Sequence, residues 1–148
     1  MLSDNEIVKK VFEPIVNLMN EDWLRGKLAE FPMGTTIGNE RWFEFCITKA
    51  LGIKDLIPYF PKSKIDLPYK ISGKECLIEV KGACNFDVNY VCEAANQYVD
   101  KHPHIGIILG AYNEEKLKQI KRRVKVIDQA IITDSKNREW IVCVIRRK

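Results

Sequence analysis

A carboxylate and an ammonium group, Glu79 and Lys81, stand two residues apart in the otherwise apolar segment CLIEVKG (76–82). Side chains of a β-strand point alternately to its two faces, so this pair would share one face and the apolar residues the other. The apolar face would contact a core. The opposite face would therefore present an acid and a base side by side.

A turn just before this segment predicts its partner strand. Ser72-Gly73 suits the two-residue loop of a hairpin that joins strands over 64–71 and 74–81. In that register Asp66 lies directly opposite Glu79 and on the same face. A slip of one residue would turn the first carboxylate to the other face, and the proline in the first strand makes a bulge possible.

The three charged groups together point to a particular chemistry. Two opposed carboxylates repel each other unless a cation lies between them. Mg²⁺ is the natural cation, because it takes one or two carboxylates together with water and substrate phosphates. Lys81 would polarise a metal-bound water or hold a phosphate, and these are the parts of metal-assisted phosphodiester hydrolysis. The alternative is a solvent-facing strand that carries a cross-strand ion pair.

The spacing of these residues resembles a known nuclease signature. Asp66, twelve intervening residues and Glu79-Val80-Lys81 are similar to the signature of the PD-(D/E)xK nuclease superfamily, although Ile65 stands where that signature has proline. Gly38-Asn39-Glu40-Arg41 resembles the glycine and Glu-Arg opening of a helix in archaeal Holliday-junction resolvases of this superfamily. The likeness covers residues 35–110.

This resemblance implies a restriction-endonuclease-like fold, a DNA endonuclease activity and a Mg²⁺ site that Mn²⁺ can also fill. Some branches carry a glutamine on the next helix, where Gln97 lies, but the tyrosine that follows it by four residues is Lys101 here. Glu44, one turn after Glu40, is the alternative helix acid. The implied catalytic residues are Asp66, Glu79, Lys81, Glu40 and Gln97, and the implied metal ligands are Asp66, Glu79, Glu40 and the main-chain carbonyl of Val80.

The chain has a net charge of +4, and its basic residues are concentrated in the last third. Such a cluster suits the phosphate backbone of nucleic acid, and the lack of interleaved aromatic residues favours phosphate contacts over base contacts. The alternative is a solvated helix face over 114–125. The residues expected to bind DNA are Lys116, Lys118, Lys121, Arg122, Arg123, Lys125, Arg146 and Arg147, with Lys148 ending the same run.

Apolar periodicity predicts the elements that position these residues. Helices are expected over 5–19 (which Pro14 could split), 21–30, from Thr35 or Thr36 to Leu51, 87–101 and from Asn113 to about Arg123. The third of these would bury a stripe of Ile37, Trp42, Phe45, Cys46 and Leu51, and Gly52 would end it. Strands are expected over 64–71, 74–81 and 104–110, and in the tail on either side of a polar turn at 135–137.

The order of these elements predicts an α/β fold with a central mixed sheet flanked by helices. The wholly apolar strand 104–110 would be buried on both faces and would lie parallel to strand 74–81 through a crossover. We expect one domain over 1–148, with an N-terminal helical extension over 1–31 and an α/β core over 35–148.

Composition excludes several classes of protein. No run approaches the ~20 apolar residues of a membrane span, no signal-peptide apolar region is expected at the N-terminus, and no glycine-rich phosphate loop indicates a nucleotide cofactor. The five cysteines are odd in number and form no C-x-x-C pair, so buried reduced thiols and a cytoplasmic location are expected.

The expected partners are DNA and a second copy of the chain in a homodimer. A junction or branched DNA is as suitable a substrate as a plain duplex, because so small a chain reaches few bases. The enzymatic alternative is a duplex restriction-like endonuclease. The alternative from another class is a nucleic-acid-binding or assembly module that keeps the fold without turnover.

Overall fold

The computed structural model of the chain describes residues 2–34, 39–53, 67–71, 73–96 and 104–148. Within these ranges a five-stranded sheet has the strand order β1-β2-β3-β5-β4. Its strands are β1 (Leu67–Ile71), β2 (Lys74–Ala83), β3 (His104–Ala111), β4 (Lys125–Thr133) and β5 (Glu139–Arg146).

The pairing of the strands confirms the mixed sheet. β1 and β2 are antiparallel, with Ile71 paired to Lys74 and Leu67 to Ile78, so the register predicted from the turn is confirmed over this length. β2 and β3 are parallel, whereas β5 is antiparallel to both β3 and β4. Asp66 lies outside the described residues, and its position opposite Glu79 stays a prediction.

Helices cover both faces of this sheet. They are α1 (Asp4–Ile7), α2 (Glu13–Met19), α3 (Asp22–Leu28), α4 (Glu40–Leu51), α5 (Val88–Asn96) and α6 (Glu114–Arg123), with a π-helical segment (Val8–Phe12) between α1 and α2. Pro14 lies in the first turn of α2, immediately after the π-helical segment. The backbone stays helical at Phe12 and Glu13, so the first helix changes its hydrogen-bond pattern just before this proline and is not split in two.

The two faces of the sheet contact two separate apolar clusters. On one face Ile78, Val80 and Ile107 pack with residues of α1, α2, α3 and α4. On the other face Ile108 and Cys143 pack with residues of α5 and α6. β3 is buried on both sides, as its apolar sequence predicted.

Helix α4 differs from its prediction in start and in orientation. It begins at Glu40 with Asn39 as the N-cap, whereas the predicted caps Thr35 and Thr36 lie outside the described residues. Its buried apolar residues include Phe43 and Ile47, while Phe45 is 68% exposed. The prediction that Phe45 belongs to the buried stripe was therefore wrong. Apolar residues are spread widely around this helix, so the sequence alone did not fix which side of the helix faces the core. Gly52 ends the helix with a φ of 66°, as expected.

The C-terminal strands also differ in length from their prediction. α6 ends at Arg123, and β4 begins at Lys125, so Lys125 belongs to a strand and not to the basic helix. β4 is therefore longer than the segment that sequence pattern indicated. A register shift between Val126 and Asp128 interrupts the alternation of the two faces of β4. The sequence of β4 therefore lacks the regular period of two by which a strand is recognised.

All five cysteines are free and buried. Burial raises the pKa of Cys46, Cys76 and Cys143 to about 12, which makes these thiols poor nucleophiles. The expectation of buried, unpaired thiols is confirmed. Among the helices of the described ranges, none has the length and apolar character that crossing a membrane requires.

A buried carboxylate organises the turn between β4 and β5. Asp134 is fully buried, and it accepts hydrogen bonds from the Trp140 indole (2.9 Å), the Arg138 guanidinium (2.8 Å) and the backbone N–H of Lys136 (2.8 Å). Burial alone raises the pKa of Asp134, but these hydrogen bonds outweigh burial and hold the pKa below its ordinary value. The carboxylate is therefore ionised in the folded protein.

The same turn is bound to the N-terminal helices. The Arg138 guanidinium donates to the carbonyl oxygens of Ala29 (2.7 Å) and Phe31 (2.8 Å), which follow the end of α3. Arg25 donates in the opposite direction, from its Nε to the carbonyl oxygen of Thr133 (2.6 Å). The bond to Ala29 satisfies a carbonyl group that the end of α3 leaves without an intrahelical partner, and the bond to Thr133 fixes the end of β4.

Replacing the buried carboxylate tests how much this network contributes. Asp134→Ala leaves the Arg138 guanidinium and the Trp140 indole without their acceptor, so the free energy of unfolding should fall by about 3–5 kcal/mol. Glu139→Ala, at an exposed carboxylate nearby, is the matched control and should change it by less than about 0.5 kcal/mol. Urea denaturation followed by circular dichroism measures both free energies. Equal losses in the two variants would show that the hydrogen bonds of Asp134 do not stabilise the fold.

The lowered pKa of Asp134 also predicts an acid dependence. A carboxyl whose folded pKa lies below the unfolded value of ~3.9 stabilises the fold above that pH, and the stabilisation is lost as pH falls through the folded pKa. Stability below about pH 4 should therefore decline more steeply in the wild type than in Asp134→Asn. Denaturation curves between about pH 2.5 and 6 measure the two slopes; parallel slopes would contradict this assignment.

Candidate active site

Glu79 and Lys81 lie in the second half of β2, on the face that α5 covers. Both are buried, with 6% and 7% of their surface exposed, and Lys81 Nζ lies 3.8 Å from Glu79 Oε1. The predicted sharing of one face is confirmed, but the alternative of a solvent-facing strand is wrong because a helix covers it. A buried ion pair needs further polar contacts to offset its desolvation.

One such contact comes from Tyr90 in the first turn of α5. The Lys81 ammonium lies 4.4 Å from the centroid of the Tyr90 ring, a cation–π contact. Asp87 fixes this turn, because its Oδ1 accepts a hydrogen bond from the Tyr90 backbone N–H (2.9 Å). Asp87 is thus a helix-capping residue, as the sequence suggested.

Sequence reasoning missed Tyr90, although a signal for it existed. A helix that follows a strand and returns over the sheet places its first turn near the carboxyl end of that strand. A residue three positions after the capping Asp87 was therefore a candidate neighbour of Lys81.

Tyr90 also connects the site to α4. Its hydroxyl donates a hydrogen bond of 3.2 Å to Glu40 Oε2. Glu44, the alternative acid, instead forms an ion pair of 3.8 Å with Arg41 on the same helix. Glu40 thus contacts Tyr90, the residue whose ring faces Lys81.

Gly82 explains how the start of α4 comes so close to β2. A Cβ atom at this position would lie 2.5 Å from the backbone nitrogen and 2.7 Å from the Cα of Glu40, and would also overlap the side-chain oxygen of Asn39. No side chain fits in this space. Asn39 is 97% buried by the same contact, at 3% exposure, and its amide atoms make no hydrogen bond within the described part of the chain.

A second glycine performs the same role on the other face. A Cβ at Gly106 would lie 2.7 Å from the Cβ of Ala94 in α5, so α5 sits directly on β3 at this point. Gly106 is the β3 partner of Glu79. The absence of a side chain here lets α5 approach the sheet and bring Tyr90 over Lys81.

The described residues supply the type of donor that a hard cation takes. Glu79 and Glu40 are carboxylates, the oxygen ligands that Mg²⁺ uses, and they lie on either side of the Lys81–Tyr90 contact. Val80 lies between Glu79 and Lys81 with its side chain buried in the core, so only its main chain could take part. The donor chemistry fits a magnesium ion.

Two further predicted residues cannot be placed. Asp66 and Gln97 lie outside the described residues. Within the described ranges no three His, Cys, Asp or Glu side chains form a group that could hold a metal. The predicted ligand set therefore includes one member, Asp66, whose position relative to Glu79 stays a prediction.

A basic groove of about 400 Å³ lies at the other edge of the sheet, between the end of α6, the start of β4 and the end of β5. Asp4 of α1 makes ion pairs there with Lys125 and with Arg146 (2.9 Å). The hydrogen bond from Lys125 lowers the pKa of Asp4, burial opposes it, and Arg146 adds to the lowering. The positively charged residues that line the groove are Lys121, Lys125, Arg146, Arg147 and Lys148.

The other predicted phosphate-binding residues do not line this groove. Lys116 donates to the carbonyl oxygen of Asn85 (2.6 Å), and Arg123 donates to the side-chain oxygen of Asn89 (2.6 Å), so both join α6 to the segment around the start of α5. Lys118 forms ion pairs with Glu114 and Glu115 at 3.9 and 3.6 Å. Arg122 is exposed on α6. The structure thus brings together only part of the predicted set.

Comparisons with known proteins give no match: no family model, no curated protein and no solved structure matches this chain. Function is therefore inferred from the side chains and their contacts.

The close approach at Gly82 leads to a prediction with an internal control. Gly82→Ala forces α4 away from β2, because the new methyl group meets backbone atoms of Glu40, and the free energy of unfolding should fall by about 1–3 kcal/mol or more. Gly26→Ala in α3 meets nothing within 4 Å and should raise it by about 0.5–1 kcal/mol. Chemical denaturation of both variants measures the contrast; a neutral Gly82→Ala would contradict the tight contact.

Proposed function

We propose that this chain is a metal-dependent DNA endonuclease whose active site is centred on Glu79 and Lys81 of β2. One observation carries the proposal: a lysine and a glutamate on one strand meet a tyrosine that is hydrogen-bonded to Glu40, the acid of the preceding helix. The sequence resemblance assigns these three charged residues to one nuclease site, and their meeting in space is independent of that resemblance.

The arrangement of elements supports the same proposal. An antiparallel hairpin, β1–β2, is followed by α5 and then by β3, which is parallel to β2. This is the order of elements that a restriction-endonuclease-like fold requires, and we propose that the chain has this fold. The carboxyl ends of the parallel strands and the start of α4 then define the edge at which the substrate binds.

In this proposal the metal ligands are Asp66, Glu79, Glu40 and the carbonyl of Val80, with Mg²⁺ as the ion and Mn²⁺ as a substitute. When bound, the ion would supply Lewis acidity and a water of lowered pKa. The Lys81 ammonium donates hydrogen bonds to the attacking water or to a phosphate oxygen, where charge develops in the transition state. Gln97 is proposed as a further contact to the same site.

The basic groove is proposed as the surface that holds the DNA backbone. Strand register places Val126, which lines the groove, three strands away from Glu79, through Gly106 and Ile145. Strand spacing makes this separation roughly 14 Å, which corresponds to about four base-pair steps along a duplex. The groove lies level with the start of β3, so a backbone held there must also run along β2 toward its carboxyl end to reach Lys81.

The form of the DNA substrate and the oligomeric state are also proposed. We favour junction or branched DNA cut by a homodimer, because two such sites could act on two strands of one junction. A restriction-like enzyme that cuts plain duplex is the enzymatic alternative.

One observation favours a second function, that of a DNA-binding or assembly module without turnover. Glu79 and Lys81 are 6% and 7% exposed, as expected of an ion pair that only holds α5 on the sheet. Such a module would bind DNA through the basic groove but would not cut it. Cleavage assays on several DNA forms separate the two functions.

The lysine is the residue whose replacement distinguishes catalysis from structure. Lys81→Met should lower the single-turnover cleavage rate by about 10²–10⁴-fold, because it removes a charge-stabilising group, while Mn²⁺ affinity measured by calorimetry is kept. Asp66→Asn should lose Mn²⁺ binding and cleavage together. The substrates are linear duplex, single-stranded, flapped and four-way-junction DNA, each with Mg²⁺ or Mn²⁺.

Two controls separate chemistry from folding in this experiment. Lys81→Arg keeps the buried charge and hence the fold, yet its planar guanidinium should still reduce the rate. Lys74→Met, at the exposed start of the same strand, should cut at the wild-type rate. If Lys81→Met cuts as fast as wild type, the proposed role of this lysine is wrong; if the wild type binds these DNA forms but cuts none of them, the binding module is favoured.

The groove predicts a change in salt dependence. Lys121→Glu combined with Arg147→Glu alters two exposed groove residues that do not pair with Asp4. The slope of log affinity against log salt concentration should become shallower by about 2, since each phosphate contact contributes ~0.9. The control is Lys9→Glu with Lys10→Glu, at two exposed residues of the π-helical segment. This pair makes the same change in net charge and should leave the slope nearer to that of the wild type. Equal slopes for both pairs would exclude the groove.

A further inference from the structure

Tyr90 contacts two parts of the proposed active site that come from different elements. Its ring faces the Lys81 ammonium of β2 at 4.4 Å, and its hydroxyl donates to Glu40 Oε2 of α4 at 3.2 Å. No feature of the nuclease signature in the sequence marks this residue.

We propose that Tyr90 is the positioning residue of this site: its ring orients Lys81 and its hydroxyl orients the Glu40 carboxylate. The proposal rests on the proposed endonuclease function and deepens it. Tyr90 acts through these two groups and does not itself touch the reacting atoms.

The ring and the hydroxyl act by different physical means. The negative face of the ring attracts the ammonium and occupies one side of it, so the Lys81 ammonium is held between the ring and Glu79 Oε1. The hydroxyl holds one oxygen of the Glu40 carboxylate through a hydrogen bond. Both effects reduce the freedom of a catalytic group before substrate binds.

Tyr90 is itself held on a rigid element, as a positioning residue must be. Its backbone N–H is bonded to Asp87, and one turn further on α5 rests on Gly106 through Ala94. A lysine side chain has four rotatable bonds and much rotamer freedom, so a fixed partner matters more for it than for shorter side chains.

Two substitutions separate the two contacts. Tyr90→Phe removes the bond to Glu40 and keeps the ring over Lys81, whereas Tyr90→Leu removes both. Tyr90→Phe should weaken Mn²⁺ binding in calorimetry by about tenfold, the worth of a hydrogen bond to a charged group. Tyr90→Leu should bind Mn²⁺ as weakly as Tyr90→Phe, yet its single-turnover cleavage rate should be lower by a further tenfold, because only the lysine contact differs.

A metal-free measurement completes the test. The ring shifts the NMR signals of the Lys81 ε-methylene group, and this shift should persist in Tyr90→Phe and vanish in Tyr90→Leu. Tyr112→Phe, which removes a hydroxyl from a tyrosine packed elsewhere against the second core, is the matched control and should equal wild type in all three measurements.

The outcomes distinguish this inference from the proposed function. If the wild type cuts DNA but both Tyr90 variants equal it in rate and Mn²⁺ affinity, Tyr90 is an ordinary packing residue and only the inference fails. If both variants lose rate and Mn²⁺ affinity equally, the effect is a general loss of structure and the inference also fails. If the wild type neither binds Mn²⁺ nor cuts, the proposed function fails and the inference with it.

Discussion

The meeting of Lys81, Tyr90 and Glu40 depends on two places where helices touch the sheet backbone directly. At Gly82 the first residue of α4 lies against β2, and at Gly106 the middle of α5 lies against β3. The two glycines face opposite sides of the sheet. Any larger residue would lift a helix by about 1 Å, and a hydrogen bond such as that from Tyr90 to Glu40 tolerates less than that.

These contacts create a polar seam between apolar layers. Glu79, Lys81 and Tyr90 lie between β2 and α5, in a region whose neighbours are otherwise aliphatic. Charges in such a place interact strongly because little water screens them, and each must have partners to be tolerated. Burial of these charges costs free energy in folding. The same low-dielectric surroundings would strengthen the stabilisation of charge in the proposed reaction.

Much of this fold follows from local sequence, while the site follows only in part. The pairing of Ile71 with Lys74 could be predicted because the sequence between them suits a two-residue loop, and the alternation around Glu79 and Lys81 is a direct result of strand geometry. The start of α4 was misplaced because Thr35 and Asn39 both suit a helix cap. Tyr90 was missed because its contacts join residues 9 and 50 positions away, and no local pattern records the closeness of two helices to one strand.

The bonds from Arg138 to the carbonyl oxygens of Ala29 and Phe31 have a consequence for synthesis on the ribosome. They join residues 109 and 107 positions apart, and the N-terminal helices share their apolar cluster with Trp140 and Val142 of β5. At 5–20 residues per second, α1, α2 and α3 therefore wait roughly 5–20 s in the nascent chain before the strand that covers them is made. During this interval their apolar faces are available to chaperones, and the packing of these helices is completed only after β5 has been made.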